Sequence, residues 1–160
     1  MPSIEFVIER TIAAPVDRVF ARLVDIDRYG EWMPAKGTIL RGTRQTSPGV
    51  VGLGTTFVDE TKLGQTPGDV VEFEAPTAVV FHWWESSKKG KVKAEGWPGY
   101  QLSATADDRT LVRHSAKLNL YGAYRLAAPI FRRMALRERT TVMDGLKASF
   151  ETDPARPGKP

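Results

Sequence analysis

The sequence predicts an α+β domain in which one antiparallel sheet packs against a long C-terminal helix. Three observations lead to this class: an apolar strand followed by two short helical segments, a series of short β-rich runs over residues 38–120, and helical spacing from there to residue 151. The turn signals between the runs follow one another too closely for crossover helices. Consecutive strands are therefore expected to pair as hairpins.

Length and composition limit the class of protein. The chain has 160 residues, of which 41% are hydrophobic and 26% charged, which suits one globular domain. We expect that domain to span residues 1–151 and the proline-rich tail, residues 152–160, to be disordered. The absence of cysteine excludes disulfides, thiolate metal sites and a cysteine nucleophile. No membrane span or secretory signal is recognisable, so we expect a cytoplasmic protein without integral membrane association.

The net charge of +4 is modest and unevenly distributed. Lysines concentrate in residues 88–93, and a second group of cations consists of Arg125, Arg132, Arg133, Arg137 and Arg139. No RNP-like or helix-turn-helix pattern accompanies these charges. We therefore interpret them as solvated surface charge and expect no nucleic acid partner.

The N-terminal part predicts one strand followed by two short helices. Residues 4–12 alternate apolar and polar side chains and are rich in β-branched types, which is typical of a strand. Pro15 ends this strand and takes the favoured first-turn position of an amphipathic helix with the sequence VDRVFARLV. Tyr29, Trp32 and Met33 then predict one further helical turn that covers the core.

Six β-rich runs fill the middle of the chain, and a turn signal bounds each of them. The runs are residues 38–43, 55–63, 70–74, 77–85, 92–106 and 110–120, with turn signals at 47–49, 64–68, 75–76, 89–90 and 107–108. One antiparallel meander is the simplest arrangement. Trp97, Pro98 and Gly99 interrupt the fifth run, where we expect a bulge or a division of the strand because proline cannot donate to the ladder.

The longest predicted element is a helix over residues 123–151. At 100° per residue, one stripe that we expect to cover the sheet contains Ala127, Ile130, Phe131, Met134, Ala135 and Val142. Towards the C-terminus the apolar centre rotates, which predicts a bend near Gly145 or contact with two different surfaces. Leu136, Met143 and Phe150 recur every seven residues, which leaves both a monomer and a homodimer open.

The N-terminal motifs resemble those of a known superfamily. Residues 8–20, IERTIAAPVDRVF, and residues 25–34, DIDRYGEWMP, are similar to the N-terminal signature of START-like (SRPBCC) proteins, especially the polyketide cyclase/dehydrase and lipid transport branch. This resemblance implies a helix-grip (Bet v 1-like) fold, in which a curved seven-stranded antiparallel sheet wraps around the last helix. Residues 70–76 and 80–84 show weaker similarity to the Hsp90-activator-like branch, which stays an alternative.

The resemblance also implies a ligand cavity between the concave face of the sheet and the last helix. A strongly bent sheet cannot lie flush against one straight helix, so large side chains or a pocket must fill the gap. The candidate ligand-binding residues are Phe57, Phe73, Phe81, Trp83, Tyr100, Ile130, Met134, Arg137, Glu138 and Thr141. Arg137 and Thr141 could bind a carboxylate or carbonyl oxygen of the ligand. So much aromatic volume favours a small or flat ligand over a long acyl chain, and no cofactor is expected.

Four titratable residues are candidates for catalysis. Glu138 lies within the apolar stripe, where burial could raise its pKa, although pairing with a neighbouring cation is the commoner role. Asp59 points inward only if Phe57 does, and the mixed faces of this strand leave that question open. His82 and His114 lie on strands, where each could line a pocket or serve as a hydrogen-bonded structural residue.

Three functional hypotheses remain once familiar motifs are considered. The sequence contains no HExxH, GxSxG, GxGxxG or P-loop motif, and we expect no metal site. The first hypothesis is a carrier or sensor that binds a small hydrophobic or aromatic metabolite such as a lipid, quinone or polyketide. The second is an aromatase/cyclase-type enzyme, which requires at least one inward titratable pair. The third is a protein-interaction module with a closed cavity and a large surface patch.

Overall fold

A computed structural model of the chain describes residues 3–106 and 108–151. The strands are β1 (Ser3–Ile12), β2 (Leu40–Gln45), β3 (Thr56–Thr61), β4 (Gly64–Glu74), β5 (Ala78–Ser86), β6 (Val92–Ala106) and β7 (Arg109–Leu120). The helices are α1 (Val16–Val24), α2 (Tyr29–Trp32) and α3 (Ala128–Glu151), with 3₁₀ turns at Ile26–Arg28 and Gly122–Ala127. All strand pairs are antiparallel, in the order β1-β7-β6-β5-β4-β3-β2.

This architecture confirms the predicted α+β class, with a curved seven-stranded sheet and a long C-terminal helix. Register shifts in β2, in β4 and near the end of β5 add to the bending of the sheet. The segment predicted to be a disordered tail, residues 152–160, lies outside the described residues. None of the described helices is both long enough and apolar enough to span a membrane.

The turn between β3 and β4 lies at residues 62–63, not at residues 64–68 as their glycines and proline had predicted. Pro67 is accommodated in β4 because this end of the strand pairs with β3 but not with β5. A Cβ added at Gly68 would lie 2.4 Å from the ring of Phe57. This glycine therefore permits close packing inside a strand, and does not form a turn.

β6 continues without a break across the Trp97-Pro98-Gly99 sequence. Pro98 pairs with Ala116 of β7, while the pairing with β5 is interrupted between Gly96 and Gly99. The missing N–H of the proline thus interrupts one ladder only. Neither of the two predicted irregularities, a bulge or a division of the strand, occurs at this position.

α3 presents different apolar surfaces along its length. Its C-terminal half buries Val142, Met143, Leu146 and Phe150. Its N-terminal half packs through Phe131 and Ala135 onto a smaller cluster at the other end of the sheet. Gly145 lies against Pro34, and an added Cβ would lie 2.4 Å from the proline ring. The glycine allows the segment after α2 to pack closely on α3, and of the two expected arrangements the helix adopts contact with two surfaces.

Candidate ligand-binding site

The concave face of the sheet carries a row of rings that crosses from β3 to β7. Phe57, Phe81, Tyr100 and His114 follow one another with ring-centre distances of 5.8, 6.4 and 4.3 Å. All four side chains are buried. Gly68 on β4 lies opposite Phe57, so the ring has room to reach across β4 towards Phe81. The row forms a continuous aromatic wall under α3.

Two further aromatic residues of the predicted set lie towards opposite ends of this face. Phe73 packs against Phe20 of α1 with a ring-centre distance of 5.5 Å. Trp83 lies over Gly96 and belongs to the cluster covered by Phe131 of α3. Although Trp83 points to the concave side, it is only partly buried. The space beside Trp83 is therefore accessible to solvent.

Arg139 extends from α3 to the sheet. Its Nε donates a hydrogen bond of 3.0 Å to Nε2 of His114, and its Nη2 donates one of 2.6 Å to the hydroxyl oxygen of Tyr100. Nδ1 of His114 donates a bond of 2.8 Å to the carbonyl oxygen of Gly99. Because a carbonyl oxygen can only accept, the ring proton must be on Nδ1, and the lone pair of Nε2 faces Arg139.

His114 is held in its neutral form. Burial lowers the pKa of His114 to about 3, and the positive charge of Arg139 acts in the same direction. The bond to the carbonyl oxygen of Gly99 acts the other way but is the smallest of these influences. At neutral pH His114 therefore accepts a hydrogen bond and orients the guanidinium group, and it carries no charge.

Asp59 reaches the same region from β3. It lies two residues from the buried Phe57 and shares its concave face, which answers the question of parity that the sequence left open. The hydroxyl group of Thr43 donates a hydrogen bond of 2.6 Å to its Oδ1. Burial raises the pKa of Asp59 to about 6, opposed by the Thr43 bond and by the charge of Arg139, while Glu138 raises it further. Asp59 therefore changes its ionisation near neutral pH.

Glu138 and Thr141 fix the segment before β2 on α3. Glu138 Oε1 accepts a hydrogen bond of 2.8 Å from the backbone amide of Ile39. The side chain of Thr141 would lie 3.4 Å from a Cβ added at Gly37. The carboxylate of Glu138 is thus occupied by the backbone. Arg137, one residue before it, is exposed to solvent.

Ile130 and Met134 are 63% and 48% exposed. At 100° per residue they lie on the same side of α3 as Thr141, whereas Phe131 faces the sheet. The structure therefore leaves these two predicted ligand-binding side chains largely in solvent, on a side of α3 that does not face the sheet.

His82 lies on the convex face, away from the other predicted site residues. Its ring stacks on Trp97 with a ring-centre distance of 4.8 Å and lies 5.2 Å from that of Trp84. Its Nε2 lies 2.8 Å from Glu95 Oε1, and its Nδ1 lies 3.3 Å from Asp69 Oδ1. Both of its ring nitrogens are therefore occupied on the outer surface of the sheet.

Arg139 is a member of the site that the sequence did not predict. We had interpreted it as solvated charge, although it follows Ala135 by four residues and precedes Val142 by three, so it shares their face of the helix. That spacing could have identified it. Tyr29 was also missed: its hydroxyl group donates to the carbonyl oxygen of Leu23, and burial, followed by the neighbouring Tyr100 and Asp59, raises its pKa.

Comparison with known proteins identifies relatives in fold but not in sequence. No family model and no curated protein matches the chain. The aromatase/cyclase Zhui from Streptomyces sp. R1128 superposes with a TM-score of 0.76 at 12% identity, over 98% of this chain and 98% of that one. A START superfamily protein from Mycobacterium smegmatis gives 0.71 at 10% identity, over 92% and 97% of the two chains.

A third structure extends this comparison to a larger protein. The di-domain ARO/CYC StfQ from the steffimycin biosynthetic pathway superposes with a TM-score of 0.70 at 15% identity, over 93% of this chain and 51% of StfQ. Identities this low are evidence of shared architecture only. The sheet, the helices and these superpositions agree with the resemblance of the N-terminal motifs, and the chain has the START-like, helix-grip fold.

Proposed function

We propose that this protein binds a small hydrophobic or aromatic metabolite between the concave face of the sheet and α3, as a carrier or sensor. One observation carries the proposal: Arg139, His114 and Tyr100, from three different elements, bring polar groups together at one point of an otherwise aromatic wall. Ligand sites typically combine apolar walls with a few polar groups that fix orientation. Burial of apolar ligand surface, at roughly 25 cal/mol per Å², would supply most of the affinity.

The packing of the wall favours a small or flat ligand. The rings from Phe57 to His114 are in contact with one another, whereas Trp83 still has accessible surface. A flat molecule can stack beside Trp83 and extend towards Arg139. A long acyl chain would have to separate rings that already pack together, and the lost contacts would oppose its binding.

The convex face offers a competing location for an apolar molecule. A groove of about 470 Å³ lies there between Val80, Trp97 and Ser115. The two locations can be distinguished because Trp83 lines the concave face and Trp97 the convex one. Replacing each tryptophan separately tests which face binds the ligand.

The test uses the neutral fluorescent probe N-phenyl-1-naphthylamine. We expect saturable binding to the wild type, affinity weakened about tenfold by Trp83→Leu, and no change in Trp97→Leu, since only the first variant loses ring contact with the probe. A weakened affinity in Trp97→Leu with an unchanged affinity in Trp83→Leu would locate binding in the convex groove. No saturable binding to the wild type would contradict the proposed function.

A second candidate is an aromatase/cyclase-type enzyme that acts on a polyketide by acid–base catalysis. Asp59 favours it, because this inward carboxyl group has a pKa of about 6 and lies in the region of Tyr100 and Arg139. A group that titrates near neutral pH can remove a proton beside one carbonyl and later protonate an oxygen that leaves as water. His114, whose pKa burial lowers to about 3, would act beside it as a neutral hydrogen-bonding group.

The enzyme hypothesis is tested with an unreduced poly-β-ketone generated in the presence of the protein. We expect the wild type to change the pattern of cyclised products, and Asp59→Asn to lose that effect while still binding the neutral probe. Asp69→Asn, on the convex face, is the matched control and should behave as the wild type. Products that are the same with and without the protein would contradict the enzyme hypothesis and leave the carrier or sensor.

A further inference from the structure

Arg139 carries a positive charge whose hydrogen-bond partners are both uncharged. His114 is a neutral imidazole, and the hydroxyl group of Tyr100 is a neutral acceptor. Within residues 3–106 and 108–151, no carboxylate forms an ion pair with this guanidinium. A partly buried cation without a directly paired anion is unfavourable, and an anion that binds the guanidinium would relieve this.

The two carboxylates that influence this region are bound elsewhere. Asp59 accepts the hydrogen bond of Thr43, and Glu138 accepts that of the Ile39 amide. Burial raises the pKa of Asp59 to about 6 and the charge of Arg139 opposes this rise, so Asp59 is a negative charge in the region that is lost as the pH falls below about 6. The charge of Asp59 thus interacts with that of Arg139, but among the described residues neither carboxylate forms an ion pair with the guanidinium.

The guanidinium of Arg139 retains a donor edge suited to a carboxylate. Nε and one hydrogen of Nη2 are used by His114 and Tyr100. Nη1 has no acceptor among the described residues, so the hydrogens of Nη1 and Nη2 at the end of the group remain available. This edge can bind the two oxygens of a carboxylate through parallel hydrogen bonds. The stacked rings of His114 and Tyr100, 4.3 Å apart, hold the group in one orientation.

The surface at one end of the sheet is positively charged, as is the Arg139 side chain inside the site. We call this surface the basic end; it consists of residues 62–64, 87–93 and 121–137. The second and third segments meet where Lys93 Nζ lies 5.2 Å from the ring centre of Tyr124. Nine of the 23 Lys and Arg residues lie in these segments, which contain no Asp or Glu. The net charge of the whole chain is only +4, so the rest of it is acidic on balance.

The basic end also borders the concave site. The exposed Ile130 and Met134 belong to it, and Trp83 lies towards this end of the sheet. A local concentration of one charge raises the encounter rate of the opposite charge. An anionic molecule is therefore attracted to the end of the protein from which it can reach Trp83 and Arg139.

We propose that the ligand is an aromatic or hydrophobic carboxylate, whose two oxygens bind the free edge of Arg139 while its apolar part lies against Trp83. This inference rests on the proposed function and adds to it the charge and the chemical group of the ligand. Two independent observations support it: the hydrogen-bond partners of the arginine inside the site are uncharged, and the segments bordering the site hold nine cations, of which Lys93 forms an ion pair with Glu85.

The test compares two probes that differ in charge and hardly in shape, 2-naphthoate and 2-naphthamide, by isothermal titration calorimetry. We expect the wild type to bind the carboxylate at least tenfold more tightly, as hydrogen bonds to a charged partner allow. Arg139→Gln should reduce the affinity for the carboxylate to that for the amide and change the affinity for the amide less than about threefold. Arg113→Gln, an exposed arginine next to His114 in sequence but on the convex face, should behave as the wild type.

A second variant, Arg139→Lys, keeps the charge but removes the parallel pair of donors. We expect it to bind 2-naphthoate at least severalfold more weakly than the wild type, and it replaces Arg139→Gln if that variant does not fold. Equal affinity of the wild type for the two probes, or an unchanged preference in both Arg139 variants, would overturn the inference and leave the proposed function intact. If neither naphthalene probe nor N-phenyl-1-naphthylamine binds the wild type, the proposed function fails, and this inference with it.

Discussion

The two faces of the sheet use similar residues in different ways. On the convex face, His82 lies between the carboxylates of Glu95 and Asp69, so both of its ring nitrogens have partners within the protein. On the concave face, the guanidinium of Arg139 meets only neutral acceptors, one of them His114. Polar groups that satisfy one another within the protein need no external partner. A partly buried cation without a paired anion, beside an aromatic wall, is stabilised by an anionic ligand.

Alanine substitutions at two glycines of β6 should lower the free energy of unfolding by different amounts, because the two glycines face opposite sides of the sheet. An added Cβ at Gly96 would lie 2.7 Å from the Trp83 ring on the concave side, whereas one at Gly99 would lie 3.1 Å from Ser115 Oγ and Val80 on the convex side. We expect Gly96→Ala to lower the free energy of unfolding by about 3 kcal/mol, because a large ring must move, and Gly99→Ala by about 1 kcal/mol or less. Urea denaturation measures both, and equal losses would contradict the assigned packing.

His114 and Asp59 should change the free energy of unfolding in opposite directions as the pH falls. His114 has a pKa of about 3 in the folded protein, below the unfolded value near 6.5, so it contributes stability above pH 6.5 that is lost as the pH falls. Asp59, with a pKa of about 6, acts in the opposite direction: its contribution is present below its unfolded pKa and is lost as the pH rises through 6. The two effects partly cancel in the wild type.

Variants remove this cancellation. Between pH 7 and pH 5, we expect Asp59→Asn to lose about 2 kcal/mol of stability through His114, and His114→Gln to gain about 1 kcal/mol through Asp59. Asp144→Asn, which removes an exposed carboxylate paired with Arg10, should keep the wild-type profile. Urea denaturation at several pH values gives these slopes, and slopes of the same sign in the two concave variants would contradict the account.

Carboxylate binding should depend on pH through Asp59. The groups that face this carboxyl group are Thr43 from β2, Arg139 and Glu138 from α3, and Tyr29 from α2. A carboxylate bound at Arg139 favours the protonated form of Asp59, so we expect the affinity for 2-naphthoate to rise about threefold to tenfold from pH 8 to pH 5.5. In Asp59→Asn the affinity should vary little over this range. Calorimetry at the two pH values decides, and a rise that persists in the variant would assign the effect to another group.

Substitution in the cluster of His82, Glu95 and Tyr121 on the convex face should have the smallest effect on stability and on binding. Glu95 accepts hydrogen bonds from His82 and from the hydroxyl group of Tyr121 at the surface of the sheet. We expect Glu95→Gln to change stability by about 1 kcal/mol or less and to leave the affinity for 2-naphthoate unchanged, because partly exposed pairs contribute little. Thermal denaturation and calorimetry check both expectations. A large loss of affinity would show that the convex cluster takes part in binding.

The sequence predicted the fold well because periodic patterns and turn residues act locally. It failed at residues 64–68, where Pro67 and Gly68 have the composition of a turn but lie within β4. Their placement depends on which neighbours β4 has and on a ring from β3, and both are properties of the assembled sheet.

The site was less predictable, because it depends on which way each strand faces. His82 and His114 each have apolar residues two positions away on both sides yet lie on opposite faces, and the parity of Asp59 could not be derived from a strand with two mixed faces. Arg139 follows several arginines of the same helix that are exposed to solvent, so its local sequence did not indicate an inward position. Only its position among the buried positions of α3, opposite Tyr100 and His114 of the sheet, gives it inward partners.

Native mass spectrometry of the protein purified from its own host, followed by denaturing extraction, shows whether the protein carries an anionic apolar ligand. We predict that the wild type carries a stoichiometric apolar carboxylic acid that denaturation releases, and that Arg139→Gln purified in the same way carries much less of it. An empty wild-type protein that also takes up no hydrophobic probe, or a neutral molecule retained equally by both proteins, would contradict the account. The first of these results would favour the protein-interaction module, and the second would keep a ligand site but not an anionic ligand.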